Sequence, residues 1–177
     1  MPGNHFDYKV EKSPILNGIT IITGTKNEDS RGMIYSSYQR DYFDRLIPDK
    51  IAFHHDKFSV SKKGALRGLH GDKKTWKLIS CIAGKIFQVV LDCRPQSDTY
   101  HKWQGWFLTQ DEPVFILVPP LFANGYCALN NNSAYHYKLA YEGEYYDVEE
   151  QFGRKWDDPR YNIRWPIDNP ILESRDK

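Results

Sequence analysis

The 177-residue chain carries almost no excess of charge of either sign, too few cysteines for a disulfide framework and no long apolar run. Lys plus Arg number 24 against 23 Asp plus Glu. No global field therefore favours nucleic acid or a membrane surface, and an anionic ligand must be recognised locally. Cys81, Cys93 and Cys127 are odd in number, lie in or beside apolar strand-like runs and lack CxxC spacing, so they read as buried reduced thiols. No stretch approaches the ~20 apolar residues that span a bilayer, and Met1 to Ser13 is polar and charged, unlike a secretory leader. The expected compartment is the cytoplasm. Strands do not alternate with helical patterns of ~10–15 residues, which argues against a parallel α/β sheet. With no repeat, linker or low-complexity tract, one domain over residues 1–177 is expected.

Aromatic residues, by contrast, are plentiful: 12 Tyr, 9 Phe and 5 Trp, a composition that suits β-structure and also supplies flat surfaces for a base or sugar ring. Short β-branched and aromatic runs recur at 19–22, 33–38, 52–60, 76–82, 85–91, 102–108, 114–118, 126–129 and 134–140, the spacing of a sandwich or closed barrel. Only Arg40 to Leu46 reads as helix in the first half. The run Lys85 to Leu91 is apolar on both parities, so one face should line an interior and the other pack against a second sheet or another subunit. Gln88 is its polar member and needs a partner, either a ligand or an internal hydrogen bond. In 134–140, alternation puts Tyr135, Tyr137 and Leu139 inward and His136 and Lys138 outward. Asn124-Gly125, after Pro119-Pro120, reads as a turn.

Arg67-Gly68-Leu69-His70, followed seven residues later by Lys77, sets an arginine, an imidazole and an ammonium in one β-rich segment. The trio suits proton abstraction beside a ketone: histidine accepts a proton near neutral pH, lysine holds charge developing on oxygen, and arginine grips a phosphate. Lys77 shares parity with Ile79 and Cys81, an apolar face on which a lysine either snorkels or functions. Tyr137, if inward, is a candidate acid. A metal site is not expected: the adjacent His54 and His55 must point to opposite faces, and no His-x-His pair occurs.

Taken in order, Asp29-Ser30-Arg31-Gly32, Leu66 to His70, Lys77-Leu78, Gly84 to Arg94, Val118-Pro119 through Gly125, Tyr137-Lys138, Trp156 to Pro166 and Pro170 to Asp176 resemble the nucleotide-sugar 3,5-epimerases typified by dTDP-4-dehydrorhamnose 3,5-epimerase. The resemblance covers about residues 18 to 176. It implies an all-β cupin jelly-roll barrel with short helices and an extended C-terminal tail, no cofactor and a nucleotide-sugar substrate. His70-Gly71-Asp72, Lys74 to Leu78 and Tyr137 to Tyr145 resemble more closely the branch acting on GDP-4-keto-6-deoxy-heptoses in bacterial capsule pathways. Carried over by position, His70 is the general base and Asp176 its orienting carboxylate. Lys77 lies beside the sugar carbonyl, Tyr137 is the acid, and Arg67 and Arg31 contact the diphosphate. The resemblance implies that Arg31 reaches across from a second subunit, and a homodimer is expected because a jelly roll of this size leaves sheet edges and an apolar outer face to cover. Asn124 stands where the rhamnose enzymes often have histidine; it can hydrogen-bond a substrate oxygen but cannot carry a proton near pH 7.

Overall fold

A computed structural model describes residues 7–177. In chain order its strands are β1 (Tyr8–Lys12), β2 (Thr20–Gly24), β3 (Lys26–Asp29), β4 (Gly32–Tyr35), β5 (Phe53–Ser61), β6 (Leu66–Gly71), β7 (Trp76–Ala83), β8 (Lys85–Asp92), β9 (Trp103–Thr109), β10 (Val114–Val118), β11 (Phe122–Ala128), β12 (Ser133–Ala140) and β13 (Phe152–Gly153). One sheet has the order β1-β2-β10-β7-β12-β5 and the other β13-β6-β11-β8-β9, with β3-β4 as a separate hairpin. The named strands pair antiparallel, and the two sheets form a jelly roll.

Between the sheets, Ile79, Cys81, Ile116, Val118 and Tyr135 pack against Ile86, Val90, Leu108 and Tyr126. The outer face of the larger sheet is covered by the segment holding helix α1 (Arg40–Phe43), which continues as one 3-10 turn to Leu46 and buries Phe43 against Phe115 and Leu117. The outer face of β8 presents Phe87, Val89 and Leu91 to Tyr161 and Trp165 of the chain's own C-terminal segment. A second subunit is therefore not what covers that face. Cys81, Cys93 and Cys127 are buried and free, and burial pushes the Cys81 and Cys127 thiols up to about 11.

Two sequence expectations are corrected. Asn124-Gly125 is no turn but the middle of β11, held by pairing to Val90 and Val89 on β8. Its glycine serves a close approach instead: an added Cβ at Gly125 would lie 2.7 Å from the Arg67 carbonyl oxygen. His136 faces away from Tyr135 and Tyr137 as parity demands, yet it is buried. Phe58 stacks on its ring at 4.7 Å, Asp56 Oδ1 lies 2.7 Å from Nε2 and Ser80 Oγ 3.2 Å from Nδ1.

Candidate active site

Strand parity alone would send Arg67 and His70, three residues apart, to opposite faces of β6. The register prevents this. Asn124 pairs with His70 and Tyr126 with Arg67, so two steps along β11 match three along β6. That extra residue is a β-bulge, and Gly68 supplies the positive φ it needs, 121°. Both side chains consequently line one cavity between the sheets, which encloses about 830 Å³ of empty space including its open mouth. Lys77, Asn124, Tyr137 and Asp176 line the same cavity.

His70 Nε2 stands 2.7 Å from Asp176 Oδ1, with the carboxylate side chain 4% exposed. The contact is a close ion-pair approach not aligned as a hydrogen bond, and among the described residues neither atom has a hydrogen-bond partner. Asp176 arrives there because the tail is tied to the start of β6: Leu66 N–H donates to the Ile171 carbonyl (3.0 Å) and Ile171 N–H to that of Gly64 (2.8 Å). A 3-10 turn over Ser174–Asp176 then tucks the carboxylate inward. With Nε2 protonated toward Asp176, the lone pair of a neutral imidazole resides on Nδ1.

Lys77 is 6% exposed, so it does not snorkel; it is an interior ammonium. Its Nζ donates to Asn124 Oδ1 at 3.1 Å and lies 3.7 Å from Asp72 Oδ2. Burial lowers its pKa, and the Asp72 charge opposes that fall. Asp72 is fixed by the turn it makes, where Oδ1 accepts from the amides of Lys74 (2.9 Å) and Thr75 (2.6 Å). Asn124 also donates through Nδ2 to the Tyr135 hydroxyl at 3.0 Å, and Tyr135 stacks on Tyr126 at 4.3 Å. Each end of the amide thus has one protein partner, leaving one Nδ2 hydrogen and one Oδ1 lone pair.

Tyr137 is half-buried on the cavity face of β12, and burial raises its phenol above the usual value while Lys57 pulls it down. Lys57 is its cross-strand neighbour on β5 and forms an ion pair with Asp147. Asp147 Oδ1 further accepts from the Tyr145 hydroxyl (3.1 Å) and Gln151 Nε2 (3.2 Å), and Arg175 donates to Gln151 Oε1 (2.9 Å). This chain of contacts joins the 141–151 loop to the C-terminal turn around the cavity mouth.

A base with its carboxylate, an interior cation and a phenol around one cavity fit proton transfer next to a carbonyl. A family model described as dTDP-4-dehydrorhamnose 3,5-epimerase matches residues 14–177. The chain belongs to this family. It is accordingly an epimerase, of the isomerase class of enzymes. A relative from Shigella flexneri named dTDP-4-dehydrorhamnose 3,5-epimerase is 34% identical over 151 residues, 84% of this chain and 82% of that protein. The crystal structure of a Legionella pneumophila dTDP-6-deoxy-D-glucose-3,5-epimerase in complex with dTDP-4-keto-L-rhamnose is similar at TM-score 0.86 and 31% identity, covering 96% of this chain and 90% of that one. A 4-keto-6-deoxy sugar epimerase from the novobiocin gene cluster of Streptomyces spheroides matches at TM-score 0.83 and 30% identity, covering 98% and 86%. These relatives carry dTDP-sugar or 4-keto-6-deoxy sugar names, so the closer likeness to the GDP-heptose branch is not what the comparisons support.

Six of the residues singled out in the sequence, Arg67, His70, Lys77, Asn124, Tyr137 and Asp176, meet at the epimerase cavity. Gln88 and Arg31 do not. Gln88 is fully buried opposite Tyr126, donates Nε2 to the Val89 carbonyl at 3.0 Å and leaves Oε1 without a partner. Arg31 projects from the β3–β4 hairpin, its side chain 88% exposed and held by Asp29 in a two-toothed pair. Lys57, Asp147 and Arg175 line the cavity without having been singled out. Lys57 had a signal, a charge at the inward parity of the 52–60 run, whereas Asp147 and Arg175 lie in irregular segments with no period to read. Among the described residues, no group of three or more His, Cys, Asp or Glu side chains could hold a metal ion.

Proposed function

We propose that this epimerase inverts C3, C5 or both of a nucleotide-linked 4-keto-6-deoxy sugar. The observation that carries the reading is the convergence of the His70–Asp176 pair, the Lys77 ammonium and the Tyr137 phenol on one cavity. A 4-keto group acidifies the adjoining C–H bonds because the carbanion is delocalised into the carbonyl. Neutral His70 takes the proton, and Asp176 stabilises the imidazolium that results. Lys77 holds the enolate oxygen, an effect of ~3 kcal/mol for one well-placed donor in a dry site. Tyr137 returns a proton to the opposite face, which inverts the centre. Every step is a proton transfer, so the reaction calls for neither a metal nor a redox cofactor.

Arg67, at the cavity edge, serves the diphosphate; its Nε is oriented by Ser61 Oγ at 3.2 Å. Arg31 is too committed to its own hairpin to serve the same protomer's cavity, and we assign it to the diphosphate bound by the second subunit of a homodimer. A dTDP-linked hexose is the first substrate to test, because the relatives carry that name. A GDP-linked 4-keto-6-deoxy-heptose is the second reading, favoured by the segments 70–72, 74–78 and 137–145.

Product mass spectrometry in deuterated water, with both classes of substrate, tests the reading. Deuterium at C3 or C5 with inversion is expected. A displaced carbonyl would indicate a 3,4-ketoisomerase instead, and no exchange a binding module. His70→Ala should abolish exchange at every position, while Tyr137→Phe should retain some exchange and block inversion; inversion at the parental rate in Tyr137→Phe would remove the phenol from the mechanism.

A further inference from the structure

The cavity holds two lysines, and their surroundings differ. Lys77 contacts Asn124 and Asp72, on the side of His70. Lys57 has its Nζ 5.7 Å from the centre of the Tyr137 ring and 5.5 Å from that of Tyr145, and Asp147 grips it in an ion pair. Tyr137 and Lys57 are directly opposed in the β12–β5 register, the closest placement two side chains on one sheet face can have. Asp147 in turn is fixed by Tyr145 and Gln151, so the ammonium is held on three sides rather than free to follow a ligand.

An acid that delivers a proton to carbon leaves its electron pair behind. When the Tyr137 O–H bond breaks and the new C–H bond forms, a phenolate remains in a half-buried site, where uncompensated negative charge is costly. From that need and this geometry we propose that Lys57 is a positioning residue for the acid: it keeps positive charge beside the Tyr137 phenol and stabilises the phenolate formed as the proton leaves. The inference rests on Tyr137 being the acid of the proposed reaction. Lys57 stays protonated throughout, and the phenolate regains its proton from solvent between turnovers. Burial, Asp147 and Tyr126 all push the phenol toward its neutral form, and Lys57 opposes them. A role in gripping the diphosphate suits it less, because Asp147 would repel the same phosphates.

Lys57→Met should leave deuterium uptake driven by His70 in place while inversion falls about tenfold or more, the equivalent of one unit of acid strength, with KM unchanged. Lys57→Arg, which keeps the charge, should recover most of the inversion. Exchange and inversion falling in proportion would overturn the proposal, as would a raised KM with their ratio preserved, since Lys57 would then hold substrate. A second measurement needs no substrate. The ultraviolet difference between parent and Tyr137→Phe isolates the titration of this one phenol, and the same difference in a Lys57→Met background should show its midpoint moved up by about one pH unit. An unmoved midpoint rejects Lys57 as the phenol's partner even if no tested sugar is turned over, whereas a moved midpoint without turnover faults the substrate reading alone.

Discussion

Asp72 shows how much a single carboxylate can decide. One of its oxygens builds the turn into β7, while the other stands unpartnered 3.7 Å from the Lys77 ammonium. Burial favours neutral Lys77, so its charge is lost at a lower pH than the 10.5 of a free ammonium. Tyr137 moves the other way, raised by its own burial above the 10.0 of a free phenol. The alkaline limb of kcat should therefore report Lys77 and lie below 10.5. Asp72→Asn preserves the turn's acceptor and removes the negative charge, so the limb should move to lower pH. A pH profile in which Asp72→Asn and parent share one alkaline limb would mean that another group sets it. Asn124 is the complementary case: a residue expected to meet substrate, it lines the cavity and also accepts from Lys77 and donates to Tyr135, so it orients the lysine as well.

The strands themselves were legible in the residue pattern, since short β-branched and aromatic runs bounded by turn residues mark the β5, β7, β8, β10 and β12 regions. Pairing was not. Tyr8–Lys12 and Lys26–Asp29 are polar and mostly exposed, so no apolar period announces them as strands. The bulge in β6 depends on Gly125 and Asn124, more than fifty positions away, and such a contact has no local signature. Gly68→Ala tests it. An added Cβ would lie 2.5 Å from Gly125 Cα and 2.8 Å from the Asn124 carbonyl oxygen, on a backbone whose φ of 121° disfavours any side chain. We expect at least about 2 kcal/mol of destabilisation in urea unfolding, together with a loss of kcat as Arg67 and His70 part. A variant with parental stability and turnover would show that the two strands tolerate separation.

At the scale of the molecule, the chain itself covers much of each sheet's outer apolar face, the larger by the α1 segment and the smaller by the Tyr161–Trp165 segment, but leaves Phe58 (61%), Val60 (63%) and Phe107 (58%) exposed. The argument for two subunits thus rests on those uncovered apolar side chains and on the position of Arg31, on a hairpin that does not line its own cavity. Subunit complementation can decide it. His70→Ala and Arg31→Ala should each be impaired alone. When the two are mixed and allowed to exchange, the mixed dimer has one intact site, restoring up to about a quarter of parental activity for random pairing. If mixing restores nothing while exchange is verified by mass, Arg31 does not act across a two-fold interface.

The bulge in β6 also governs which kinds of sequence change this enzyme can absorb. A point substitution at a cavity side chain leaves the count of the strand, and so the facing of the other residues, unchanged. Deleting or inserting one codon between Arg67 and His70 instead turns one of the two to the far side of the sheet, so that the guanidinium and the imidazole no longer share a cavity. Diversification by point substitution is open to this scaffold; diversification by length in that stretch is closed.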